Sequence, residues 1–348
     1  MLWWVLACNG PEPVSGPTCP PGDGEILRLE TGEVGEDLDL MMRGTAGWVT
    51  LCLGPGSFPS NLEFNKTTEA LPGQISWIGT EGSVITPELA DSGAEPTPIL
   101  LAMNQPLVFQ GLRFEAPLDV YGSALTFRDV SFGNLALTAE DTSVLVARAT
   151  ESVDLEDLSI SEVVVDNVVL YAEAPELRID GLDFRDNRSV GGAHVQLTGA
   201  TTIQGLVVED TVALQNNPGS PLVSILGDGT VSDSALRWNQ ANGPALAASG
   251  RLDVDAVEIR EHRSNWTGAL TVYGSATLKG LTLHDNTSQE GALALYPLGP
   301  DSLVLVEDAD LGIDEDENRP CDISIYGTCV LYDVAEVDSL LCDQTGCR

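Results

Sequence analysis

The chain has 348 residues, of which 53 are acidic and 16 are basic, and its formal net charge is −37. This excess of carboxylates repels phosphate backbones and argues against a nucleic-acid partner. A hydrophobic fraction of 43% and 35 glycines exclude a disordered acidic polymer. The composition therefore indicates a Gly-rich, mostly β protein with a sizeable core.

The N-terminal residues predict export. A short apolar run over residues 2–7 ends at Cys8, and the segment Val5–Cys8 resembles the bacterial lipobox, in which the cysteine is lipidated. The resemblance implies a lipid anchor at Cys8 and a location at the outer-membrane surface or outside the cell. A basic n-region and a longer apolar core are missing, so a chance match is the alternative. Residues 1–24 thus form a predicted signal remnant and a tether rich in Pro, Gly and Ser.

Nine short segments along the middle of the chain share one pattern of alternating apolar and polar residues around a central Gly, Asp or Ala. The central residues lie at positions 111, 129, 157, 181, 205, 233, 256, 280 and 308. They span 197 residues in eight steps, a mean of about 24.6 residues per step. Alternation with a period of two indicates strands, and a fixed period in the twenties indicates a solenoid.

A second type of segment lies between these markers, as in residues 191–197, 268–274 and 291–297. Each begins with a small residue and continues as an alternating apolar run. Each repeat therefore holds about three short strands, which fits one triangular coil of a parallel β-helix. In such a coil every strand pairs with its equivalent about 4.8 Å away in the next coil.

The repeat resembles known families. Phe184 to Asn187, followed by Gly191 to Ala193, is similar to the FxxN and GGA signatures of polymorphic outer-membrane protein repeats, and residues 283–293 show a weaker echo. More broadly, residues 45–313 resemble the pectin-lyase-like parallel β-helix superfamily. The resemblance implies a right-handed helix. The predicted fold is all-β: a single right-handed parallel β-helix with three short strands per coil of about 24 residues, over residues 25–313 with an N-terminal cap, and with disulfide-stapled terminal caps.

Four asparagines follow a strand near the same point of the repeat: Asn134, Asn187, Asn239 and Asn286. Asparagine adopts turn conformations easily, and its amide can hydrogen-bond between coils. We expect these residues to form a ladder at the corners of the helix, with a structural role.

Six further cysteines lie at the two ends of the chain, with none between Cys52 and Cys321. Such an even set indicates disulfides in an exported protein. Six cysteines allow 15 pairings, and proximity in sequence favours Cys19–Cys52, Cys321–Cys329 and Cys342–Cys347. Residues 314–348 form a predicted Cys-rich C-terminal cap that contains a hairpin.

Catalytic signals are weak. Polysaccharide lyases and glycoside hydrolases of the superfamily use clustered carboxylates, and their NTD, DD and GHG signatures are absent from the chain. The candidate catalytic set is Asp157, Asp180, Asp183 and Asp186 with Arg185. The favoured interpretation of these residues is a solvated outer face of alternating charge.

An acidic stretch near the C-terminus is the candidate metal site. Asp314, Asp316, Asn318 and Asp322 match the ligand positions 1, 3, 5 and 9 of a calcium loop. The Gly expected at position six is replaced by Arg319, and no Glu closes the loop. The sequence leaves Ca²⁺ open as a cofactor beside the favoured alternative, an acidic turn, and indicates no other cofactor.

The sequence predicts a non-catalytic, exported surface rod with a structural, adhesive or glycan-binding role. Its expected partner is an extracellular glycan or a surface protein, and its expected contact with a membrane is only through the lipid anchor. The alternatives are a carbohydrate-active enzyme, lyase or hydrolase, of the same fold and an adhesin-like subunit that assembles with its own copies. The sequence does not specify the oligomeric state.

Overall fold

The computed structural model describes residues 25–29, 48–60, 63–66, 73–87, 96, 98–138, 142–190, 193–213, 220–299, 301–312, 318–331, 334 and 336–348. Within these ranges the chain is all-β with no helix, and it forms a β-solenoid of about nine turns. The predicted all-β solenoid is confirmed. Cys8, Cys19, Asp314 and Asp316 lie outside the described residues.

The strands follow one another with short turns. The first nine are β1 (Glu25–Leu29), β2 (Trp48–Leu53), β3 (Gly56–Ser60), β4 (Glu63–Lys66), β5 (Gln74–Gly79), β6 (Ser83–Pro87), β7 (Ile99–Met103), β8 (Leu107–Gln110) and β9 (Arg113–Phe114). The middle coils hold β10 (Leu118–Gly133), β11 (Ala136–Leu137), β12 (Leu145–Ser161), β13 (Val164–Val165), β14 (Leu170–Arg185), β15 (Arg188–Ser189), β16 (Val195–Glu209) and β17 (Val212–Ala213).

The later coils have shorter strands. They hold β18 (Val223–Leu226), β19 (Gly229–Arg237), β20 (Gln240–Ala241), β21 (Leu246–Ala248), β22 (Leu252–Arg260), β23 (Arg263–Ser264), β24 (Leu270–Tyr273), β25 (Ala276–Lys279), β26 (Thr282–His284), β27 (Leu293–Tyr296) and β28 (Val304–Asp310). The last strands are β29 (Ile323–Ile325), β30 (Thr328–Leu331), β31 (Glu336–Asp343) and β32 (Gly346–Cys347).

The strands stack in parallel register on three faces. Face A contains β7, β18, β21, β24, β27 and β29 and the first parts of the long strands β10, β12, β14 and β16. Face B contains β2, β5, β8, β19, β22, β25, β26 and β28 and the later parts of the long strands. Face C is a separate sheet of six two-residue strands, β11, β13, β15, β17, β20 and β23.

Left-handed corners recur at fixed positions along the coils. All nine sequence markers have a positive φ, between 47° and 75°. A second column of residues with positive φ lies five residues after seven of the markers. These residues are Asn134, Glu162, Asp186, Asp210, Trp238, Glu261 and Asp285. Left-handed backbone is cheapest for Gly, Asn and Asp, which explains most of the residue types at both corners.

The interior is a set of apolar columns. Phe109 stacks on Phe127 with ring centroids 4.9 Å apart, and Phe114 stacks on Phe132 at 5.0 Å. All four rings are fully buried. In later coils Leu, Ile and Val occupy the equivalent positions and are also buried. Because each coil stacks in register on the next, alternation along the sequence becomes a continuous core.

A buried polar column runs along the residue that follows the second corner. Asn239 Oδ1 accepts the backbone N–H of Thr211 at 3.0 Å, and its Nδ2 donates to the Val208 carbonyl at 2.7 Å. Asn187 and Asn286 make the equivalent pairs of bonds to the coil before them. Each amide therefore satisfies one donor and one acceptor that a tight corner leaves unpaired.

Two further asparagines lie at or near this column. Asn134 is exposed and occupies the positive-φ corner itself, so it is not part of the buried ladder. Leu135 takes the inward position in that coil and is buried. Asn318, predicted as a calcium ligand, instead continues the ladder: its Oδ1 accepts the N–H of Asn286 at 3.1 Å and its Nδ2 donates to the Leu283 carbonyl at 2.7 Å.

The C-terminal end of the solenoid is closed by antiparallel strands. β31 pairs with β28, and the hairpin β29–β30 extends face A from β27. The disulfides Cys321–Cys329 and Cys342–Cys347 are both present, as proximity in sequence predicts. Cys52 is also disulfide-bonded. Coil stacking thus continues past residue 313, and the antiparallel pairing covers an edge that would otherwise recruit another strand.

We predict that Asn239→Ala lowers the free energy of unfolding by about 2–3 kcal/mol, because it leaves the buried Thr211 N–H and Val208 carbonyl without partners. Chemical denaturation followed by circular dichroism measures the change. The matched control is Asn265→Ala, which removes an exposed amide and should change stability by no more than about 0.5 kcal/mol. Equal losses in the two variants would contradict the structural role of the ladder.

Two histidines are buried in the interior. Burial lowers the pKa of His194 and of His262 to about 4. Both rings are therefore neutral in the folded protein at pH 6, while the unfolded chain binds more protons between pH 4 and 6.5. The contribution of these two neutral rings to the free energy of unfolding is therefore fully present above pH 6.5 and is lost as the pH falls from 6.5 to 4.

We predict that the free energy of unfolding of His194→Leu depends less steeply on pH than that of the parent chain, by about 1 kcal/mol per pH unit between pH 4.5 and 6. Leucine suits the position because Val169 and Leu222 are its equivalents in the neighbouring coils. Unfolding free energies measured across this pH range in the variant and the parent chain test the prediction. An unchanged slope would show that His194 does not titrate on unfolding.

Candidate functional site

The candidate catalytic carboxylates do not converge. Asp157 and Asp186 lie at the two kinds of positive-φ corner, and Asp180 is exposed at the end of a face B strand. Asp157 and Asp183 line one shallow groove of about 280 Å³, whereas Asp180 and Asp186 do not line it. The structure therefore brings together two of the four aspartates.

Arg185, the basic member of that set, belongs to a row of ion pairs on face B. Its Nε lies 2.7 Å from Asp183 Oδ1, and its Nη1 lies 2.7 Å from Glu209 Oε2 in the next coil. Glu209 also faces Arg237, which contacts Glu258 in the next coil. The hydrogen bond to Asp183 raises the pKa of Arg185 above its usual value. These contacts match the predicted outer face of alternating charge.

The candidate metal residues have structural contacts. Asn318 and Asp322 are both buried, and Asn318 Nδ2 lies 3.4 Å from Asp322 Oδ1. Asp322 also accepts the N–H of Val334 at 3.0 Å. Among the described residues there is no group of three or more His, Cys, Asp and Glu side chains that could hold a metal ion. The oxygen of Asn318 is engaged by the ladder, which favours the structural interpretation.

A larger groove of about 570 Å³ crosses four coils where face A turns into face B. Its two ends carry the ion pairs Arg178–Glu176 and Arg251–Asp253, at 3.1 Å and 3.2 Å. Small polar side chains such as Thr202 and Thr230 line the middle. Because these guanidinium groups are paired with carboxylates of their own coil, the groove offers a ligand little uncompensated charge.

Two exposed tryptophans mark a different surface. Trp238 and Trp266 are 48% and 47% exposed, respectively. Trp238 has a φ of 55° at a corner where other coils use Asn, Asp or Glu. A left-handed conformation costs a bulky residue about 1–2 kcal/mol. A strained, exposed aromatic residue is a candidate for function, since the fold would be more stable with asparagine there.

The tryptophans border a regular array of polar side chains on face C. Successive coils place Gln240 beside Arg263, Arg263 beside Thr287, and Thr287 beside Arg319. In the adjacent row, Asn265 Nδ2 donates to Asn242 Oδ1 at 2.8 Å. We call this surface the Trp–Arg face; it consists of Trp238, Gln240, Asn242, Arg263, Asn265, Trp266, Thr287 and Arg319.

Hydrogen bonds fix the positions of the two tryptophans. Trp238 Nε1 donates to Glu261 Oε1 at 3.0 Å. The backbone N–H of Trp266 donates to Ser264 Oγ at 3.1 Å, and its carbonyl accepts the N–H of Gln289 at 3.1 Å. The next coil therefore holds the Trp238 indole and the Trp266 backbone in place, which lowers the ordering cost of binding a ligand.

The residue types of the Trp–Arg face suit sugar recognition. An indole ring offers a rigid apolar surface for the apolar face of a sugar ring. Amide and hydroxyl groups donate and accept hydrogen bonds, so they match sugar hydroxyls. The coil spacing of about 4.8 Å repeats these groups along the rod, and the repeat suits an extended polymer better than a compact ligand.

None of these residues was among the sequence-predicted sites, although one signal was present. The second corner lies five residues after seven of the nine markers, and at that offset the sequence reads Asn, Glu, Asp, Asp, Trp, Glu and Asp. Trp238 is the exception to a polar column. The arginines carried no such signal, because sequence does not show which of them are neutralised by ion pairs.

The comparisons with known proteins assign no family. No protein-family model matches the chain, and no curated protein matches it at a significant level. In the ranges that the structure describes, no helix has the length and apolarity needed to cross a membrane. The functional argument therefore depends on the geometry of the surface.

We predict that Trp238→Asn stabilises the chain by about 1 kcal/mol, because asparagine tolerates the left-handed corner. The expected result is a higher thermal unfolding midpoint. Trp266→Asn is the control: Trp266 is equally exposed and has no positive φ, so its replacement should leave the midpoint unchanged or lower it. A lower midpoint for Trp238→Asn would show that the tryptophan is retained for stability.

Proposed function

We propose that the protein is a non-catalytic binding rod that presents the Trp–Arg face to a glycan. The observation that carries the proposal is the exposed pair Trp238 and Trp266 beside rows of amide and hydroxyl groups in coil register. Exposed aromatic residues are common anchors of binding surfaces. The ion pairing of Arg185 with Asp183 and Glu209 favours binding over catalysis at the predicted carboxylates.

The proposal includes an exported rod with a lipid anchor at Cys8. Four cysteines near the C-terminus, together with Cys52, are disulfide-bonded, and disulfides persist in oxidising compartments. The tether of residues 9–24 would hold such a rod away from the membrane surface. Incorporation of labelled palmitate in a bacterial host, compared with a Cys8→Ala variant, tests this part of the proposal.

The proposal also places the chain in the pectin-lyase-like superfamily, with repeats of the polymorphic outer-membrane protein type. The geometry supports this assignment because it explains the FxxN spacing. Phe184 is an inward core residue, Asp186 is the left-handed corner, and Asn187 is a member of the buried ladder. Leu236 and Asn239, and Leu283 and Asn286, have the same arrangement.

A glycan array followed by isothermal titration of the best hits tests the binding proposal. We expect measurable affinity for at least one extended polysaccharide, and an affinity about thirtyfold lower for Trp266→Ala, because a central aromatic anchor contributes about 2 kcal/mol or more. Leu298→Ala is the control, since Leu298 is 66% exposed and lies outside the Trp–Arg face. An array with no binding above background would contradict the proposal.

The enzyme alternative predicts turnover at the groove lined by Asp157 and Asp183. The same polysaccharides, incubated with and without Ca²⁺, should release no new reducing ends or unsaturated sugars if the rod only binds. Turnover that is abolished by Asp157→Asn or Asp183→Asn would establish the enzyme and displace the binding proposal.

A further inference from the structure

The arginines of face C, which include Arg188 as well as the two of the Trp–Arg face, form no ion pair with another described residue, unlike most arginines elsewhere in the described structure. The ion pairs among described residues involve Arg113, Arg128, Arg148, Arg178, Arg185, Arg237, Arg251, Arg260 and Arg348. Arg263 and Arg319 take part in none of these pairs, and both are exposed. In a chain of net charge −37, two guanidinium groups on one face with no acidic partner among the described residues are unusual.

Two described carboxylates near this face are already engaged. Glu261 accepts the indole N–H of Trp238 and lies 3.8 Å from Arg260 Nε. Asp285, the corner residue of the next coil, lies 3.4 Å from the Arg260 guanidinium. Arg260 therefore offsets the negative charge at this corner. The positive charge of Arg263 remains available to a ligand.

We infer that the Trp–Arg face binds a glycan that carries oxyanion groups, either sulfate esters or carboxylates. Arg263 and Arg319 contact the anionic groups, and Trp266 packs on a sugar ring between them. The guanidinium fork matches the planar or tetrahedral oxygens of such groups and binds them in bidentate fashion. The inference rests on the proposed function and names the ligand class of the same surface.

The spacing of the two arginines fits this ligand class. They lie two coils apart, on either side of Thr287 in the same row. Two coil rises amount to about 9.6 Å, which is close to the length of a disaccharide unit. An anionic group on every second sugar would therefore meet one arginine after the other.

The net charge of −37 does not prevent this contact. Repulsion between the body of the rod and an acidic polymer is screened beyond about 8 Å at physiological salt, whereas a contact ion pair is screened much less. Repulsion slows the approach and acts equally on every anionic ligand. The arginines then supply the preference for a ligand whose charges match their spacing.

The test uses one polysaccharide backbone in three charge states: chondroitin sulfate, desulfated chondroitin that keeps its carboxylates, and desulfated chondroitin whose carboxyls are reduced. We expect the full chain to bind at least one charged form at least tenfold more tightly than the neutral form in 0.15 M salt. Preference for the first form assigns sulfate, and equal binding of the two charged forms assigns carboxylate.

Matched variants connect the binding to the arginines. Arg263→Gln and Arg319→Gln should each weaken binding of the charged form by about fivefold to tenfold and leave binding of the neutral form unchanged. Arg263→Lys should restore part of the affinity, because it keeps the charge without the fork. Arg178→Gln is the control: it changes the net charge equally but removes an exposed arginine that is paired with Glu176 on face B.

The outcomes separate the inference from the proposed function. Binding of the neutral form at least as tight as that of the charged forms, with sensitivity to Trp266→Ala alone, overturns the inference and leaves the glycan-binding rod intact. Charged-form binding that Arg178→Gln weakens as much as Arg263→Gln also overturns it. Absence of binding by all three forms and by the whole glycan array overturns both.

Discussion

The strict register between coils is the constraint on which the rest of the structure depends. Each strand pairs with its equivalent one coil away, so any shift would turn buried side chains outward. The left-handed corners maintain this register because they turn the backbone at equivalent places in successive coils, at all nine markers and again five residues after seven of them. The inward columns, the polar ladder and the outward rows all follow from it.

The polar ladder shows how the fold tolerates buried amides. A tight corner leaves backbone N–H and carbonyl groups without partners in the interior, where an unmade hydrogen bond is costly. Asn187, Asn239, Asn286 and Asn318 satisfy such groups in the preceding coil. In earlier coils Leu135 and Val163 occupy the same column, and Asn187 Oδ1 accepts the backbone N–H of Val163. The ladder therefore specifies register as well as stability.

The outward rows explain how one repeated scaffold acquires a distinct surface. On face B, arginines and carboxylates of neighbouring coils lie opposite each other and form ion pairs such as Arg185–Glu209 and Arg128–Glu156. Such exposed pairs contribute little stability individually, but they neutralise charge along the rod. On face C the partners of Arg263 are Gln240 and Thr287, which leave its charge uncompensated. The difference between the faces is a matter of which residues share a row.

The sequence by itself determined the repeat. All nine markers coincide with left-handed corners, because only a few residue types adopt that conformation cheaply. Local pattern also determined the strands and the two C-terminal disulfides, since both depend on residues near in sequence. Asn134 was misplaced by one position, because the ladder residue follows the corner and local sequence does not separate the two.

Tertiary structure alone decided which side chains meet across coils. Asn318 resembled a calcium ligand in sequence, yet it lies in the ladder 32 residues from its partner Asn286. The pairing of Arg185 with Glu209, and the absence of Arg263 and Arg319 from the ion pairs of the described residues, likewise depend on register. Coil lengths vary from repeat to repeat, so the rows that carry function become visible only when the coils are stacked.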